Sequence, residues 1–375
     1  MALRKNCQND SSVSFLSISA AGISVSIDLS VGHIAELAVE AAGRVLRPLH
    51  RAPWIGEPDL PQDIAPGLAR LSGDFLCAPF SKSDVEAAPA HGWPANASWS
   101  VTASAATPDG WRAELRLDRE VMGATVEKIL VLRDGHPFLY QEHRFVGGHG
   151  ELPAAHHVMG VMAAGGRMAF SPKRFAETPG EPLEPDPARG RYLLAYPAHA
   201  GDPTRFPTRD GGSADLTRYL AEDRREDFVI LAEADHEGPG WTALARTAER
   251  DLLLVLKNPS ELPVTMLWFS NGGRDYAPWN GRHFGVLGIE DGRTAVGHRA
   301  SLDDNSLKRA GIPTAFVLDG TKAVSFRHVI GALPGADDGE APTALRHEDT
   351  ALRLGFGSGA AIEAPFDGAF LRLGG

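Results

Sequence analysis

The chain has 375 residues, enough to bury one large hydrophobic core or two smaller ones. Its formal net charge is −11 and it carries no run of Lys and Arg, so we expect no nucleic-acid partner. No segment approaches the roughly 20 apolar residues of a membrane span, and no apolar run follows the basic residues near the start, so we expect a cytoplasmic protein without a membrane partner.

The first part of the chain predicts a disordered tail followed by an antiparallel meander. Residues 1–14 are polar and are expected to be disordered. From Ile23 to Ser30 apolar and polar residues alternate strictly, which is the period of a half-buried strand. Turns at Gly32 and Gly43 separate this strand from two further apolar runs.

Residues 51–98 form a long irregular stretch that is rich in proline. We predict one short helix at 64–71 within it. A run of this length without periodic structure is uncommon in a compact domain unless it is functional. His91 and Trp93 lie in this stretch and are therefore candidate site residues.

The middle of the chain predicts a series of β-strands, at 99–103, 111–117, 125–132 and 138–145, a spacing typical of an all-β sandwich. Residues 151–165 predict one more strand, which carries His156 and His157. Adjacent strand residues face opposite sides, so at most one of these two histidines points into a given cleft. The sequence leaves open which one does, because the neighbours on both faces are apolar or small.

Residues 171–227 are dense in Pro, Gly, Arg and Asp and are interpreted as a long excursion that covers a site, with a short helix at 214–222; disorder is the alternative. Further strands are predicted at 228–232, 241–246, 252–256, 315–318, 323–329, 352–356 and 369–373. No change of composition forces a boundary, so residues 15–375 are predicted to form a single domain.

The stretch 266–290 combines two apolar runs with a polar turn cluster. The second run ends at Glu290. Planar rings that stack on a sugar and charged groups that bind hydroxyls are the composition of a carbohydrate site. Ordinary loop residues are the alternative interpretation. The residues between the runs are Arg274, Asp275, Tyr276, Trp279, Asn280, Arg282 and His283.

The chemistry available is general acid–base catalysis by histidine and a carboxylate. His91, His156 or His157, and Glu290 are the candidates, although a single histidine is more often a packed or surface residue and Glu290 can equally be a solvated turn residue. The two cysteines are too few for a disulfide framework or a cysteine zinc site, and no serine-hydrolase elbow, phosphate loop or H-E-x-x-H motif is present. A divalent metal held by histidines 156, 157 and 283 with Glu290 is a minor alternative.

The order of these motifs resembles the aldose 1-epimerase (galactose mutarotase-like) superfamily over residues 20–330. The similar elements are the N-terminal meander, a Gly-Asp-Phe segment followed by His91-Gly92 and Trp99, a mid-chain strand with histidine, and a late strand ending in Glu. The resemblance implies a large antiparallel β-supersandwich with few short helices. It also implies that Glu290 is the general base, that His157 or His156 is the general acid, and that His91 helps to hold the substrate.

The sequence also departs from that family. Trp93, Pro94 and Ala95 replace the usual basic residue after the His-Gly motif, and Val158-Met159 replace the usual aromatic residue after the mid-chain histidine. The block 272–283 predicts a divergent branch with its own ligand. Its arginines 274 and 282, with Arg299, can recognise a carboxylate or phosphate on a sugar, or can simply be surface residues of an arginine-rich chain.

We therefore expect an isomerase of the aldose 1-epimerase type that interconverts the anomers of a monosaccharide or sugar acid without metal or organic cofactor, as a monomer or homodimer. A non-catalytic carbohydrate-binding protein on the same fold and, less favoured, a metal-dependent sugar isomerase or lyase are the alternatives. The sugar and its anomer stay open. The expected substrate contacts are His91, Trp93, Arg274, Asp275, Tyr276, Trp279, Arg282 and His283.

Overall fold

The structure is a computed structural model that describes residues 14–335 and 339–373. The predicted disorder of residues 1–14 lies outside the described residues, apart from Ser14. Within the described part, no helix has the length and apolar character needed to cross a membrane.

Short strands make up most of the regular structure. The first half contains β1 (Phe15–Ala20), β2 (Ile23–Asp28), β3 (His33–Ala41), β4 (Arg44–Leu46), β5 (Leu76–Cys77), β6 (Trp99–Thr107), β7 (Gly110–Val121), β8 (Ala124–Arg133), β9 (Phe138–Gly147), β10 (His149–Leu152), β11 (Ala154–His156), β12 (Val158–Val161), β13 (Gly166–Phe170) and β14 (Lys173–Glu177). The second half contains β15 (His199–Ala200), β16 (Phe206–Pro207), β17 (Ser213–Ala214), β18 (Arg218–Tyr219), β19 (Arg225–Glu233), β20 (Gly240–Arg246), β21 (Asp251–Lys257), β22 (Val264–Asn271), β23 (Val286–Arg293), β24 (Phe316–Asp319), β25 (Val324–Pro334), β26 (Ala344–His347), β27 (Ala351–Gly355) and β28 (Ala361–Pro365). The helices are α1 (Pro66–Ala69), α2 (His298–Leu302) and α3 (Ser306–Arg309), with 3₁₀ turns at Trp93–Ala95 and Pro203–Arg205.

Two large antiparallel sheets dominate the fold. One has the order β15-β14-β19-β22-β23-β11-β5, with β12 also pairing with β23, and we call it the site sheet. The other has the order β18-β13-β20-β21-β25-β9-β8-β7-β6. Strands β1–β4 form a four-stranded meander, and β26–β28 form a three-stranded C-terminal sheet. The prediction of an all-β antiparallel sandwich with few short helices is confirmed.

The sandwich core lies between the two large sheets. Leu267 and Phe269 of β22 belong to the same buried cluster as Leu253 and Val255 of β21. The alternate residues of both strands point outward but are also covered, which explains why the two segments read as continuous apolar runs in the sequence.

Two further apolar layers cover the outer faces of the sandwich. Met266 and Trp268 of β22 pack under the loops that contain Trp54 and Trp279. On the opposite side, Leu254 of β21 packs in one cluster with residues of the C-terminal sheet. Each large sheet is therefore buried on both faces around its central strands.

Three sequence predictions were wrong in detail. The single strand expected at 151–165 is divided among the end of β10, β11 and β12, and it stops at Val161. The helix expected at 214–222 is replaced by β17, a turn and β18, because the Asp215 carboxylate accepts hydrogen bonds from the backbone and hydroxyl of Thr217. The strand expected at 369–373 is a turn region after Pro365, in which the Phe370 backbone N–H bonds the Asp367 carbonyl. Leu371 is fully buried there, so its apolar character serves packing rather than strand pairing.

Replacement of a core residue tests the packing between the two large sheets. Leu253→Ala should lower the free energy of unfolding by about 2–5 kcal/mol, because it removes a fully buried side chain between the two sheets and leaves a cavity. Val317→Ala is the matched control, since Val317 is 63% exposed. Chemical denaturation of both variants gives the two values, and equal losses would contradict this packing.

Candidate active site

The pairing of β11 and β12 with β23 brings a histidine and a glutamate together. Ala155 is paired with Gly292 on one side of the break between the two short strands, and Val158 is paired with Ile289 on the other. This antiparallel register places His157 directly opposite Glu290. Residues directly opposite in adjacent strands project from the same face, so both side chains leave the outer face of the site sheet.

The same register sends the neighbouring pair to the opposite face. His156 and Asp291 point into the interior of the sandwich, where both are buried. The question of which histidine faces the cleft is therefore answered by geometry: His157 does, and His156 lies behind it. A slip of one residue would exchange the two faces.

His157 and Glu290 are in direct contact. The His157 Nε2 atom lies 3.1 Å from the Glu290 Oε1 atom, and both side chains are almost completely buried. Burial raises the pKa of Glu290 well above its usual range, although the Arg274 charge opposes this shift. Burial and the nearby His91 lower the pKa of His157 well below its usual value. Both shifts favour the neutral form of each group, with the proton on Glu290 rather than on His157.

The backbone and ring of His157 are held from behind. Its N–H donates to the Phe75 carbonyl at 2.9 Å and to the Asp74 carboxylate at 3.2 Å. Its ring stacks on Phe75 with centroids 4.5 Å apart. The geometry of the histidine is thus fixed before a ligand arrives.

His91 reaches the same place from the irregular stretch. Its backbone φ is +66°, a left-handed conformation in which its N–H donates to the Ser81 carbonyl at 2.8 Å. The Cys77 sulfur lies 3.2 Å from His91 Nδ1, and burial raises the thiol pKa while it lowers the pKa of His91 to about 4. The two shifts favour a neutral thiol and a neutral imidazole, which share one hydrogen bond between Sγ and Nδ1.

Arg274 supplies a positive charge beside the pair. One of its terminal nitrogens lies 3.3 Å from Glu226, and its guanidinium lies 4.4 Å from the centre of the Trp279 ring. Its Nε atom is buried and has no hydrogen-bond partner among the described residues. The Trp268 indole also donates to Glu226, at 2.5 Å. Glu226 thus tethers both the guanidinium and the indole, and leaves Arg274 with donors for a ligand.

These groups open into one cavity of about 270 Å³, which we call the site cavity. It is walled mainly by aromatic and aliphatic side chains, with a few polar groups among them, the usual character of a small-molecule site. The volume leaves room for one sugar ring. The residues that line it are Ala65, Gly67, Leu68, Leu71, Phe75, Phe80, Ser81, Ala90, His91, Ala95, Asn96, His157, Leu183, Phe228, Trp268, Arg274, Trp279, Glu290 and Val296.

Gly288 makes the floor of the site cavity possible. A Cβ atom at this position would lie 3.0 Å from the Glu290 carboxylate and 3.0 Å from the Cβ of Trp268. Trp268 is paired with Gly288 across the two strands, so its indole occupies the space above the glycine. The missing side chain therefore lets the indole and the carboxylate lie side by side.

The structure brings five of the predicted site residues to the cavity and places six elsewhere. His91, His157, Arg274, Trp279 and Glu290 line it. The others, whose side chains have partners outside it, are His156, Trp93, Asp275, Tyr276, Arg282 and His283.

The six outlying residues have distinct surroundings. Asp275 pairs with Arg191 at 2.6 Å, and Arg282 pairs with Glu57 at 2.6 Å on the surface. Tyr276 lies under the Arg189 guanidinium, and Arg119 lies over the Trp93 ring. His283 is buried behind the cavity wall, stacked on Trp268 with centroids 5.5 Å apart. Arg299, proposed as an anion-binding group, also lies outside the cavity lining.

A polar cluster fills the interior behind His157. Asp74 accepts hydrogen bonds from Gln141 at 2.6 Å and from His156 Nδ1 at 3.1 Å. These donors hold the Asp74 pKa below its usual range, against the effect of burial, while burial lowers the pKa of His156 to about 4. His328 lies 3.1 Å from Asp291, which Lys257 contacts at 2.9 Å. Buried carboxylates here are thus matched by donors and cations.

The interior cluster contains a group of possible metal ligands. Asp74, His156 and His328 are the one group of possible ligands found among the described residues, with ligand atoms within 4.8 Å of one another. The two imidazole rings are stacked 3.9 Å apart and only 13° from parallel. An imidazole binds a metal along a lone pair in its ring plane, so parallel rings direct their lone pairs side by side rather than at one ion. The arrangement fits a hydrogen-bonded cluster better than a metal centre.

The four metal ligands suggested from the sequence, histidines 156, 157 and 283 with Glu290, do not lie together. His156 projects from the opposite face of the site sheet to His157 and Glu290, and His283 lies behind Trp268. Four side chains divided in this way cannot share an ion.

Sequence reasoning missed several residues that build the site. Asp74 and Phe75 lie within the Gly-Asp-Phe motif but were given no role, and their contacts with His157 cross more than 80 residues. Trp268 follows Leu267 in an apolar strand that is buried on both sides, so it faces the side opposite to Leu267, and this alternation could have identified it. No local sequence pattern marks Glu226 as a site residue, because its contacts with Trp268 and Arg274 depend on the pairing of β19 with β22.

No protein-family model matches the chain, and no curated protein matches it. Solved structures do resemble it. A galactose mutarotase related enzyme from Lactobacillus acidophilus has a TM-score of 0.53 and 12% identity, covering 87% of this chain and 99% of that chain. A candidate aldose 1-epimerase from Escherichia coli has a TM-score of 0.55 and 12% identity, over 86% of this chain and 99% of that chain. The chain has the galactose mutarotase-like fold.

The buried carboxyl of the site predicts a pH-dependent difference in stability. Because the pKa of Glu290 is raised in the folded state, the unfolded chain loses that proton first, and rising pH favours unfolding. Glu290→Gln removes this penalty. The variant should therefore gain stability relative to the wild type as the pH rises above the usual pKa of a carboxyl group, as measured by denaturation at two pH values.

Glu363→Gln is the matched control, because it removes the same charge from an exposed strand position. A stability difference between wild type and Glu290→Gln that stays constant with pH would contradict the buried, protonated carboxyl.

Proposed function

We propose that the chain is an aldose 1-epimerase-like isomerase that interconverts the anomers of a monosaccharide or sugar acid. The observation that carries the proposal is the pair of His157 and Glu290, 3.1 Å apart at the floor of a cavity with room for one sugar ring. General acid–base catalysis requires two groups that hold and accept a proton within reach of adjacent atoms of the substrate.

The reaction balances with the one proton that the pair shares. With Glu290 ionised and His157 protonated, Glu290 removes the proton of the anomeric hydroxyl while His157 protonates the ring oxygen. The bond between C1 and the ring oxygen breaks, the C1–C2 bond rotates, and closure on the other face returns both protons. Glu290 is the proposed base and His157 the proposed acid, and His156 supports the pair from the interior.

Arg274 favours the active protonation state. Burial favours the protonated form of Glu290, so the carboxylate must be formed when substrate separates the pair. The guanidinium opposes the rise in the Glu290 pKa and thereby stabilises the ionised form. Its unpartnered Nε atom also supplies a donor for a hydroxyl or carboxylate of the substrate.

His91 and the aromatic walls hold the ring. His91 presents a neutral imidazole whose Nδ1 contacts the Cys77 sulfur, which leaves Nε2 for a hydrogen bond with a sugar hydroxyl. Trp268 and Trp279 present large apolar faces for the C–H side of a sugar. The substrate contacts proposed within the cavity are thus His91, Arg274, Trp268 and Trp279.

A non-catalytic carbohydrate-binding protein is the second candidate. The direct contact between His157 and Glu290 favours it, because a pair that satisfies itself can be structural. Sugar binding without accelerated anomer exchange in NMR exchange spectroscopy would select this candidate, and exchange that depends on both residues would exclude it.

Adjacent histidines provide a matched test of catalysis. His157→Gln should lower the rate of anomer exchange by about 10²–10⁴-fold, because it removes the acid, while stability changes little. His156→Gln should instead lower the free energy of unfolding by about 1–3 kcal/mol and leave the rate of the folded enzyme near that of the wild type. NMR exchange spectroscopy and denaturation measure the two effects. Equal rate losses in the two variants would overturn the assignment.

Arg274 predicts a shift of the pH–rate profile. Arg274→Met removes a positive charge near the pair, so the pKa of Glu290 rises further and the acid limb moves to higher pH. Arg282→Met is the control, since that guanidinium is paired with Glu57 away from the cavity. The prediction fails if both variants keep the wild-type profile.

A further inference from the structure

A second cavity adjoins the site cavity on the outer face of the site sheet. Its volume is about 600 Å³, and we call it the adjoining cavity. Val296 lines both cavities. Phe228 lines the site cavity and Ile230 lines the adjoining one, and the two residues project from the same face of β19 about 6.7 Å apart along the strand. The two spaces are therefore consecutive along one sheet surface.

The same covering segment spans both spaces. Leu183 closes part of the site cavity, and Pro179 and Gly180, four and three residues earlier, line the adjoining cavity. This is the excursion that the sequence predicted to cover a site. The far wall of the adjoining cavity is formed by α2 and α3, through Ala300 and Leu307.

The adjoining cavity carries polar groups of its own. The Glu177 carboxylate accepts a hydrogen bond from the Ser306 hydroxyl at 2.5 Å, and its other oxygen lies 3.9 Å from His199 Nδ1. The His199 side chain is 60% exposed and packs against the Phe175 ring with centroids 4.9 Å apart. A carboxylate, an imidazole and apolar proline and isoleucine surfaces resemble the mixture that lines the site cavity.

We propose that the cleft binds a reducing disaccharide or a longer oligosaccharide, with the reducing-end ring in the site cavity and the next sugar in the adjoining cavity. This inference rests on the proposed function, and it names the class of substrate. Anomer exchange needs a free anomeric hydroxyl at His157 and Glu290, so the second sugar is linked through an oxygen at the other end of the ring. That sugar takes no part in bond breaking and contributes binding energy only.

The site cavity has room for one sugar ring, and Val296 and the outer face of β19 continue from it into the adjoining cavity. Glu177 accepts hydrogen bonds from hydroxyl groups and His199 offers a ring nitrogen, so the second sugar gains hydrogen bonds as well as apolar contact. Loss of these contacts should weaken binding of the disaccharide without altering that of the monosaccharide.

Binding of matched sugars tests the inference. Calorimetry and ligand-observed NMR would compare glucose and galactose with maltose, cellobiose and lactose on the full chain. At least one disaccharide should bind about tenfold or more tightly than the monosaccharide at its own reducing end. A panel in which no disaccharide gains affinity over its monosaccharide overturns the proposal.

Two variants test whether the higher affinity for the disaccharide comes from the adjoining cavity. Ala300→Trp fills that cavity from an exposed position of α2, and Glu177→Gln removes its carboxylate charge. Both should abolish the preference for the disaccharide and leave monosaccharide binding unchanged. Ala360→Trp, at an exposed alanine near the C-terminal sheet, is the control. Retention of the preference in both variants, or equal losses for both sugars, would contradict the second subsite.

These experiments distinguish failure of the second subsite from failure of the proposed isomerase activity. Selective disaccharide binding without accelerated anomer exchange would disprove the isomerase and leave the second subsite standing. Exchange of monosaccharides and disaccharides with equal affinity and equal rate would support the isomerase and disprove the subsite.

Discussion

The antiparallel pairing of residues 154–161 with β23 is the constraint on which the candidate site depends. It sets two consecutive residues, His156 and His157, opposite two others, Glu290 and Asp291. Because strand residues alternate, one histidine and one carboxylate go to each face of the sheet. The outer pair meets in a cavity, and the inner pair enters the polar cluster of the sandwich. The register of this one pairing therefore determines which residues face the site cavity and which residues form the polar cluster behind them.

The interior cluster is costly for a β-sandwich to bury. Its carboxylates have partners, whereas Gln141 Oε1, His156 Nε2 and His328 Nδ1 have no hydrogen-bond partner among the described residues. The Asp74 carboxylate receives donors from Gln141, from His156 and from the backbone of His157, so it is buried without lacking partners. The last of these contacts links the cluster directly to the proposed acid. The hydrogen bonds to the Asp74 carboxylate favour one arrangement of the sheet behind the site. A rigid sheet behind His157 matters because the substrate must separate the His157 side chain from the Glu290 carboxyl.

The sequence predicted the architecture well because the signals are periodic and local. The alternation from Ile23, the short spacing between strands and the apolar runs before and after the 272–283 block all correspond to observed strands. Glu290 at the end of its run was visible for the same reason. The helix expected at 214–222 failed because a single carboxylate, that of Asp215, favours a turn that composition does not reveal.

The site itself was only partly predictable, because loop composition does not show where each side chain points. Arg274 and Arg282 lie eight residues apart in one loop, yet one lines the cavity and the other pairs with Glu57 at the surface. Which of the two adjacent histidines faces the cleft required the partner strand, more than 130 residues later in the chain. Contacts of this kind are set by register and by long-range pairing, and a single sequence gives no direct measure of either.

The C-terminal sheet has a consequence for how copies of the chain can associate. Strands β26–β28 supply Leu352 and Leu354 to the cluster that covers Leu252 and Leu254 of the nine-stranded sheet. A large exposed apolar face favours association with other chains, and here the chain covers that face with its own residues. Any self-association must therefore use another surface, and the mouth of the cleft, on the opposite side of the sandwich, is left independent of the face that the C-terminal sheet seals.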